Sequence, residues 1–529
     1  MKSRCELEQA YDGGMVPVVT RGTEKYRFGS IYNGRYAAER WVDFHVKEKM
    51  ENVILFGLGD CQIVLQLLRK IPGYVLVYEP DTAVFNEVRH SVLFSKFRHE
   101  DKLYILYGGE EQRIPLRDVI TDILNDDCVE RTSVLTHPGY LAHYDEEYAM
   151  LMDVCQMVCD AIGFTQGAIQ RHMKAMVANQ LDNLAYMKDG VPVARLAKYW
   201  DSEVPVIMVS AGPSLKKNIE VLKHIDQRAF LVCVDAALPT LLRAGIIPDL
   251  VGSTDGIKNM NCFEEPGSFD IPYLVSCNTK HEIVSHLTNA KIWGYDHRAV
   301  RIIFEKLGIE NAQIPSQFGI AAGIFAALVE LGTKRIVLVG QDLAYSEDKK
   351  SHTDGRDEGF DAEKASETEG YYGGTVFTRM DWEKFREWFE DMIQLLPVDW
   401  EVVNATEGGA KIHGAIQMTL QEVIDNLPEH RVSFQDVISD ERVKITEKEY
   451  QGILDARNRM RTDLEKVKRQ GYHKTFFETD FHKMPVMDLV IGYMRYLKDV
   501  PEREERFAQA VDYVYGEICK RDEKKEKNQ

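Results

Sequence analysis

The sequence lacks several features that would place the protein in a specialised class. Its 529 residues carry 65 basic and 84 acidic side chains, which gives a net charge of −19. Such an acidic chain has little of the basic surface that neutralises phosphates, so the composition argues against a nucleic-acid-binding or membrane-surface protein. No apolar run approaches the roughly 20 residues that cross a bilayer, and we therefore predict no membrane span.

The N-terminus and the cysteines point to a reducing compartment. The first 15 residues, MKSRCELEQAYDGGM, contain no apolar core of a secretory signal. Nine cysteines are scattered along the chain without a Cys-x-x-Cys motif, and the closest pair is Cys155 and Cys159. We expect free, mostly buried thiols in place of disulfides or metal ligands. The predicted location is cytoplasmic.

Composition and periodicity divide the chain into four segments. Residues 1–150 contain the strand, glycine turn, helix and strand of a Rossmann-like domain, and residues 151–199 have the pattern of connecting helices. Residues 200–425 alternate apolar strands with helices, which is typical of a parallel sheet covered on both faces. Residues 426–529 are charged and helical. The predicted fold class is therefore α/β, with a Rossmann-like N-terminal domain, a central α/β domain and a helical C-terminal domain.

The N-terminal domain leaves two interpretations open. An apolar run ends in Gly57-Leu58-Gly59, a helix follows, and the next strand ends at Glu79. In a dinucleotide-binding domain such glycines approach a pyrophosphate and such an acid binds a ribose. Because a correctly spaced third glycine is missing, we favour the alternative in which the glycines serve only the turn.

A corner of small residues follows the first strand of the central domain, in VPVIMVSAGPSLKKNIEVL. Ligands of open parallel sheets bind beyond the carboxyl ends of the strands. We expect Gly212 to let the backbone approach a ligand, Pro213 to suit the first helical turn and Ser214 to cap the helix. Free amides and the helix dipole then predict a phosphate site. The corner consists of Ser210, Ala211, Gly212, Pro213 and Ser214.

Acidic side chains end three other apolar strands of the central domain. They are Asp235 in VCVDAA, Asp255 in GSTDG and Asp342 in GQDLAYS. Together with the glycine corner they predict a polar cleft. Strand-end carboxylates beside phosphate oxygens also suit Mg²⁺, so the three residues are candidate metal ligands.

A long polar loop follows Asp342 and contains His352, where a lid over the strand ends would lie. Histidine is the side chain best suited to take a proton near neutral pH, which makes His352 a candidate base. Tyr345, Tyr371 and Tyr372 are candidate hydrogen-bond donors to a leaving phosphate.

Four ordered motifs, strongest over residues 200–425, resemble the motility-associated factor (Maf) family of flagellin glycosyltransferases. They are VSAGPSL, CVDAALPTLLRAGIIPDLVGSTD, GIAAGIFAALVELGTKRIVLVGQDLAYS and SHTDG. The resemblance implies a central domain similar to bacterial sialyltransferases of the GT-A-like, single-Rossmann type. It also implies a CMP-activated nonulosonic acid donor, of the pseudaminic or legionaminic type. The acceptors would be serine or threonine hydroxyls of flagellin, in support of flagellar assembly and motility.

The resemblance further implies which residues carry the reaction. Sialyltransferases of this group have a Gly-Asn-Gly-Pro-Ser corner and an asparagine at the next strand end, and this chain has Ser-Ala-Gly-Pro-Ser and Asp235 there. PSQFGIAAG lies where those enzymes bring a serine- or threonine-bearing turn to the nucleotide, which implies contacts from Ser316 and Gln317. The implied reaction is an inverting displacement at the anomeric carbon. His352, Asp342 and Tyr345 would be its catalytic residues, and CMP is a good enough leaving group that Mg²⁺ is not essential.

Two other functions remain open. The segments AGPSL, GSTD and GQDLAY, with the strand-end Asp235 between the first two, also resemble archaeal-type 6-hydroxymethylpterin diphosphokinases. That resemblance implies ATP and Mg²⁺. The chain has no Gly-x-x-x-x-Gly-Lys-Ser/Thr phosphate loop, and its flanking domains favour the Maf resemblance. In the second alternative hypothesis the protein is not catalytic, and its helical C-terminus, residues 430–529, docks flagellin or a secretion chaperone.

Overall fold

The computed structural model describes residues 3–98, 100–124, 129–225, 227–315, 318–353, 359–362, 365–429, 434–478, 483–497, 500 and 502–528. The chain forms two compact units, Met1–Ala168 and Ile169–Gln529. Each unit has its own hydrophobic core of buried aliphatic and aromatic side chains. Both units contain a parallel sheet, so the predicted α/β fold class is confirmed.

The N-terminal unit joins a small antiparallel sheet to a parallel one. The elements are β1 (Arg4–Gln9), β2 (Met15–Arg21), β3 (Glu24–Arg27), α1 (Gly34–His45), β4 (Asn52–Phe56), α2 (Gln62–Lys70), β5 (Val75–Glu79), α3 (Thr82–Val88), β6 (Leu103–Tyr107), α4 (Arg113–Ile123), β7 (Thr132–Thr136) and the start of α5 (Asp145–Asn183). The antiparallel sheet has the order β1-β2-β3, and the parallel sheet has the order β6-β5-β4-β7. Every residue of the central strands β4 and β5 is buried, because helices cover such a sheet.

The second unit is built on a sheet of nine parallel strands, and apolar strands predicted within residues 200–425 belong to it. The elements after α5 are β8 (Val191–Pro192), α6 (Val193–Ala197), β9 (Val206–Val209), α7 (Leu215–Leu222), β10 (Phe230–Val234), α8 (Leu238–Arg243), β11 (Leu250–Ser253), β12 (Tyr273–Val275), α9 (His281–His286), β13 (Lys291–Trp293), α10 (Arg298–Leu307), α11 (Gly319–Glu330), β14 (Arg335–Val339), β15 (Ala365–Glu369), β16 (Thr375–Arg379), α12 (Met380–Leu395), β17 (Glu401–Asn404), β18 (Ile416–Gln417) and α13 (Leu420–Asp425). The order of the strands in the sheet is β18-β17-β14-β9-β10-β11-β12-β13-β8.

The strand order of the large sheet reverses beside β9. From β9 the chain adds β10, β11, β12 and β13 in succession on one side, then returns to place β14 on the other side. Val209 at the end of β9 pairs with Val339 at the end of β14. Crossover connections leave a crevice between two strands where the order reverses, and open α/β sheets bind ligands there. The topology therefore points to the carboxyl ends of β9 and β14.

The C-terminal helices belong to the core of the second unit. They are α14 (Phe434–Ile438), α15 (Glu447–Glu478), α16 (Pro485–Tyr496) and α17 (Arg503–Asn528). Their buried side chains join those of the large sheet in one cluster. Helix α15 is interrupted at Gly471, whose φ of 74° is left-handed and open to glycine at little cost.

Most of the cysteines lie within the described residues. Eight of the nine cysteines are described; all eight are free thiols and six are buried, while Cys128 lies outside the described residues. Cys155 and Cys159 are not joined. Over the described ranges, no helix combines the length and the apolar character that crossing a membrane requires.

Candidate functional site

A cleft opens at the carboxyl ends of β9 and β14, where the strand order reverses. The corner after β9 contributes Ser210, Ala211 and Gly212, and the segment after β14 contributes residues 340–344. His352 also lines the cleft. The predicted corner, Asp342 and His352 are therefore brought together, although 130 residues separate Gly212 from Asp342 in the sequence.

Asp342 is bound to the corner that was expected to receive a ligand phosphate. Its Oδ1 accepts a hydrogen bond from the Ser214 amide at 3.1 Å, and its Oδ2 accepts one from the Ser214 hydroxyl at 2.7 Å. Burial raises the pKa of this carboxyl to about 6, while the bonds from Ser214 oppose the shift. The carboxylate thus takes the anion position at the start of α7.

The roles predicted for Gly212, Pro213 and Ser214 change accordingly. A Cβ on Gly212 would lie 1.9 Å from Asp342 Oδ2 and 2.5 Å from the Gly340 carbonyl, so the small residue admits a neighbouring part of the chain. Pro213 precedes the helix, which begins at Leu215. Ser214 does not cap α7 through its side chain, because its hydroxyl donates to Asp342 instead. The expected capping by Ser214 is wrong in this respect.

The N-terminus of α11 also lines the cleft. Phe318, Gly319, Ile320 and Ala321 line the cleft. No side chain caps this helix in the described structure, and its first turn contains no acidic residue. The first amides of a helix have no partner within it, and they carry the positive end of the helix dipole. An anion in the cleft would find its hydrogen-bond donors here.

His352 lies on a short segment attached to the corner. The hydroxyl of Ser351 is 3.0 Å from His352 Nδ1, and the Thr353 amide donates to the Ala211 carbonyl at 2.9 Å. Thr353 Oγ1 is buried and has no hydrogen-bond partner within the described part of the chain. The backbone bond from Thr353 holds the segment against the corner, which keeps the imidazole at the cleft.

The three tyrosines are placed in different surroundings. The ring of Tyr345 is buried against Phe360 and Trp382, at centroid distances of 5.1 and 4.8 Å. Tyr371 is buried as well, and its hydroxyl lies within hydrogen-bond distance of the Asn404 and Met418 carbonyls, at 3.1 and 2.9 Å. Burial raises the pKa of Tyr371 to about 12. Tyr372 is 73% exposed. None of the three lines the cleft.

Asp235 and Asp255 do not join Asp342 in a metal site. Asp235 is fully buried; its Oδ1 binds Lys258 Nζ at 2.6 Å and its Oδ2 accepts from the Ser253 hydroxyl at 2.8 Å. Asp255 Oδ1 accepts from the Ile257 amide at 2.9 Å. Across the described ranges, no group of three or more His, Cys, Asp or Glu side chains is placed to hold a metal ion. Both oxygens of Asp235 are engaged within the protein, so its donor set does not fit Mg²⁺.

Sequence reasoning missed the apolar wall of the cleft. Phe318, Trp382 and Phe385 line it, and Trp382 also stacks under the Arg379 guanidinium at 4.0 Å. The aromatic residues of MDWEKFREWF at helical spacing were the available signal, but that pattern predicts any amphipathic helix. Ser316 and Gln317, which the family resemblance implied, lie outside the described residues.

In the N-terminal unit, the Rossmann-like turn is filled by side chains of the chain itself. A Cβ on Gly57 would lie 2.7 Å from the Tyr140 ring, and one on Gly59 would lie 2.1 Å from His137 Nε2. Glu79 is buried and accepts hydrogen bonds from the Leu58 amide and the Tyr140 hydroxyl. The glycines and Glu79 serve the turn, as favoured from the sequence, and the ribose role for Glu79 is not supported.

The chain is similar to one protein family, one uncharacterized protein and one solved structure. The family described as 6-hydroxymethylpterin diphosphokinase MptE-like matches residues 178–348. An uncharacterized protein of Treponema pallidum (strain Nichols) is 26% identical over a 160-residue alignment, which covers 28% of this chain and 73% of that protein. The solved structure of a Maf glycosyltransferase from Magnetospirillum magneticum AMB-1 superposes with a TM-score of 0.55 and 16% identity, over 98% of this chain and 86% of that one. The resemblance to the Maf family is therefore confirmed at the level of the fold: this chain has the fold of a Maf glycosyltransferase, with an MptE-like segment within it.

Proposed function

We propose that the protein is a glycosyltransferase that transfers a nonulosonic acid from a CMP-activated donor to serine or threonine hydroxyls of flagellin. The observation that carries the proposal is the cleft at the reversal of the strand order, where His352 and a helix N-terminus that no described side chain caps line the same space. Its setting in a fold shared over almost the whole chain with a Maf glycosyltransferase supports this choice. The protein would act in the cytoplasm on flagellin before export.

The donor phosphate would bind the amides at the start of α11. That end of the cleft has no side-chain cap among the described residues and no acidic side chain in the first turn, whereas Asp342 fills the start of α7. The rings of Phe318, Trp382 and Phe385 would provide the apolar wall beside it. Charge develops on the departing CMP phosphate as the glycosidic bond breaks, and donors fixed in a helix stabilise it without reorganising.

His352 would act as the base. The acceptor hydroxyl oxygen attacks the anomeric carbon, the bond from that carbon to the phosphate oxygen breaks, and the hydroxyl proton passes to the imidazole. CMP leaves with the electron pair of the broken bond, and the configuration inverts because the hydroxyl attacks from the face opposite the phosphate. Ser351 next to His352 Nδ1 would orient the ring. Asp342 is a positioning residue in this scheme, since it holds the corner through Ser214.

The first experiment is a thermal-shift titration of the full-length protein with CMP, UDP and ATP, each with and without Mg²⁺. Ligands that bind only the native state raise its stability by mass action, so no acceptor is needed. Selective stabilisation by CMP is expected. No shift with any nucleotide would overturn the nucleotide-sugar proposal.

The second experiment measures transfer from CMP-pseudaminic acid and CMP-legionaminic acid to purified flagellin by intact-protein mass spectrometry. His352→Ala should lower the transfer rate by about a hundredfold or more, in the range of general-base catalysis. His90→Ala, an exposed histidine of the N-terminal unit, is the matched control and should leave the rate unchanged. An undiminished rate in His352→Ala would remove the base assignment.

A second candidate function rests on the family match over residues 178–348. A 6-hydroxymethylpterin diphosphokinase would move a pyrophosphoryl group from ATP to the pterin hydroxymethyl oxygen, and it would need Mg²⁺. Stabilisation by ATP only when Mg²⁺ is present, together with AMP release on adding 6-hydroxymethylpterin, would favour this function over glycosyl transfer.

A further inference from the structure

A second cavity lies within the N-terminal unit, apart from the cleft described above. It encloses about 310 Å³ and opens between the β1–β2 turn, the segment before α1, the start of α2 and the segment after α3. Cavities that bind small groups start near 300 Å³, so this one suits a single side chain or a ligand of that size. It lies beside the filled glycine turn, because Asp60 follows Gly59 directly.

Two carboxylates line this cavity. Asp12 accepts hydrogen bonds from the Gly14 and Gly34 amides, both at 2.9 Å, which fix its position. Asp60 is only 8% exposed, and its Oδ1 accepts a hydrogen bond from the Gln62 amide at 3.1 Å. A buried carboxylate is costly to keep charged without a positive partner, which a basic ligand in the cavity would supply.

Burial raises the pKa of Asp60 to about 6, and the negative charge of Asp12 adds to the shift. A cation in the cavity would offset both the burial of the Asp60 charge and its repulsion by Asp12, whereas an anion would add a third negative charge. Lys96 also lines the cavity. Its single positive charge leaves the pair of carboxylates in excess.

Exposed aromatic and apolar side chains lie in the cavity lining or next to it in the chain. Tyr11, which lies between two cavity-lining residues, is 84% exposed, and Tyr32, between Ser30 and Gly34, is 71% exposed. Their rings stack at a centroid distance of 5.8 Å. Met15 and Val92 line the cavity and are exposed as well. Exposed apolar side chains beside a pocket are typical of a protein-binding surface, and tyrosine is enriched where such surfaces bind most strongly.

We propose that this surface binds a protein segment whose lysine or arginine side chain enters the cavity and pairs with Asp60 and Asp12. The neighbouring apolar residues of that segment would pack on Tyr11 and Tyr32. The carboxylates match a basic side chain in charge, and the tyrosine rings offer apolar surface to the residues beside it. This inference is independent of the reaction proposed for the second unit.

The test uses three synthetic peptides and the full-length protein. Ac-Leu-Arg-Leu-NH₂, Ac-Leu-Lys-Leu-NH₂ and Ac-Leu-Gln-Leu-NH₂ are titrated and followed by saturation-transfer NMR. The two basic peptides should bind at least about tenfold more tightly than the glutamine peptide, because only they can form a charge-assisted bond. Equal binding of all three peptides would overturn the proposal.

Variants within the proposed site test whether the peptides bind there, and control variants elsewhere in the same unit show that a loss of binding is specific to the site. Asp60→Asn should weaken both basic peptides at least about fivefold, and so should Tyr11→Ser combined with Tyr32→Ser. Asp43→Asn and Tyr74→Ser change an exposed acid and an exposed tyrosine of the same unit and should leave binding unchanged. Binding unaffected by Asp60→Asn or by the double tyrosine variant would reject the site. Displacement of the peptides by methyl glucoside would also reject it, since it would show a carbohydrate site.

Discussion

The carboxylate of Asp342 holds the Ser214 amide and hydroxyl at the start of α7, with oxygen distances of 3.1 and 2.7 Å. This contact joins the ends of β9 and β14 at the cleft. It also means that the start of α7 is neutralised by the protein itself. The start of α11, which lines the cleft and carries no acid in its first turn, is the site we assign to a ligand anion.

Replacing Asp342 tests how the buried carboxyl affects stability. Its pKa rises from 3.8 in an unfolded chain to about 6, so the folded protein binds the proton more tightly. The free energy of unfolding should therefore fall as the pH rises from about 4 to about 6, and it does not recover above that range. Asp342→Asn keeps the shape and removes the charge, so the variant should lack this decline. At pH 7 it should be more stable by up to about 3 kcal/mol.

Urea denaturation of both proteins at pH 4.5 and pH 7 measures the difference. Parallel pH dependence in the wild type and in Asp342→Asn would show that the carboxyl keeps an ordinary pKa. The same variant should lose transfer activity if the charge positions the corner, so stability and activity are expected to change in opposite directions.

An acidic residue introduced at the start of α11 should weaken CMP binding and at the same time stabilise the helix. Ala321 lies in the first turn of α11 and lines the cleft. Ala321→Asp places a negative charge where a phosphate would bind, and we expect stabilisation by CMP to disappear. The helix itself should be stabilised by about 0.3–1 kcal/mol, because acids are favourable in the first turn.

Ala321→Asn is the control for this prediction, since it has nearly the same shape without the charge. It should retain most of the thermal shift that CMP produces. If Ala321→Asp binds CMP as the wild type does, the phosphate binds elsewhere.

Gly212→Ala should destabilise the second unit. The added Cβ would meet Asp342 Oδ2 at 1.9 Å and the Gly340 carbonyl at 2.5 Å, and backbone cannot move aside easily. We expect a loss of about 1–3 kcal/mol in the free energy of unfolding. Gly516→Ala is the contrasting change, because a Cβ there meets no atom within 4 Å and the residue lies in α17. It should raise stability by up to about 1 kcal/mol. Guanidinium unfolding of both variants compares them, and an unchanged midpoint for Gly212→Ala would contradict the contact.

Lys258→Met should reveal that Asp235 has a structural role. Asp235 is fully buried and its charge is paired with Lys258 at 2.6 Å. Removing the partner of a buried charge typically costs about 3–5 kcal/mol. The double change Asp235→Asn with Lys258→Met should recover part of that loss, as measured by thermal unfolding. The outcome is different if Asp235 contacts the nucleotide. Asp235→Asn would then change the free energy of CMP binding by more than it changes the free energy of unfolding.

The local pattern of the sequence was sufficient for the architecture. Runs such as VIMV, FLVCV and RIVLV are continuously apolar, because strands of a parallel sheet are buried on both faces, and they became β9, β10 and β14. The acids after β10 and β14 were also identified correctly as strand-end residues. The burial of a strand and the position of its end can both be inferred from the hydrophobic pattern of a few neighbouring residues.

The partners of those acids depended on the tertiary structure. Whether Asp235 and Asp342 face a ligand or another part of the chain is decided by which strands become neighbours, and the folded chain gives them Lys258 and Ser214. The glycine turn after β4 is similar in sequence to a nucleotide cradle, but Tyr140 arrives from about 80 residues away and fills it. The sequence by itself determined which segments are buried and where strands end, because burial follows from local side-chain chemistry. Only the fold decided which side chains meet at those ends, because contacts between distant segments depend on strand order.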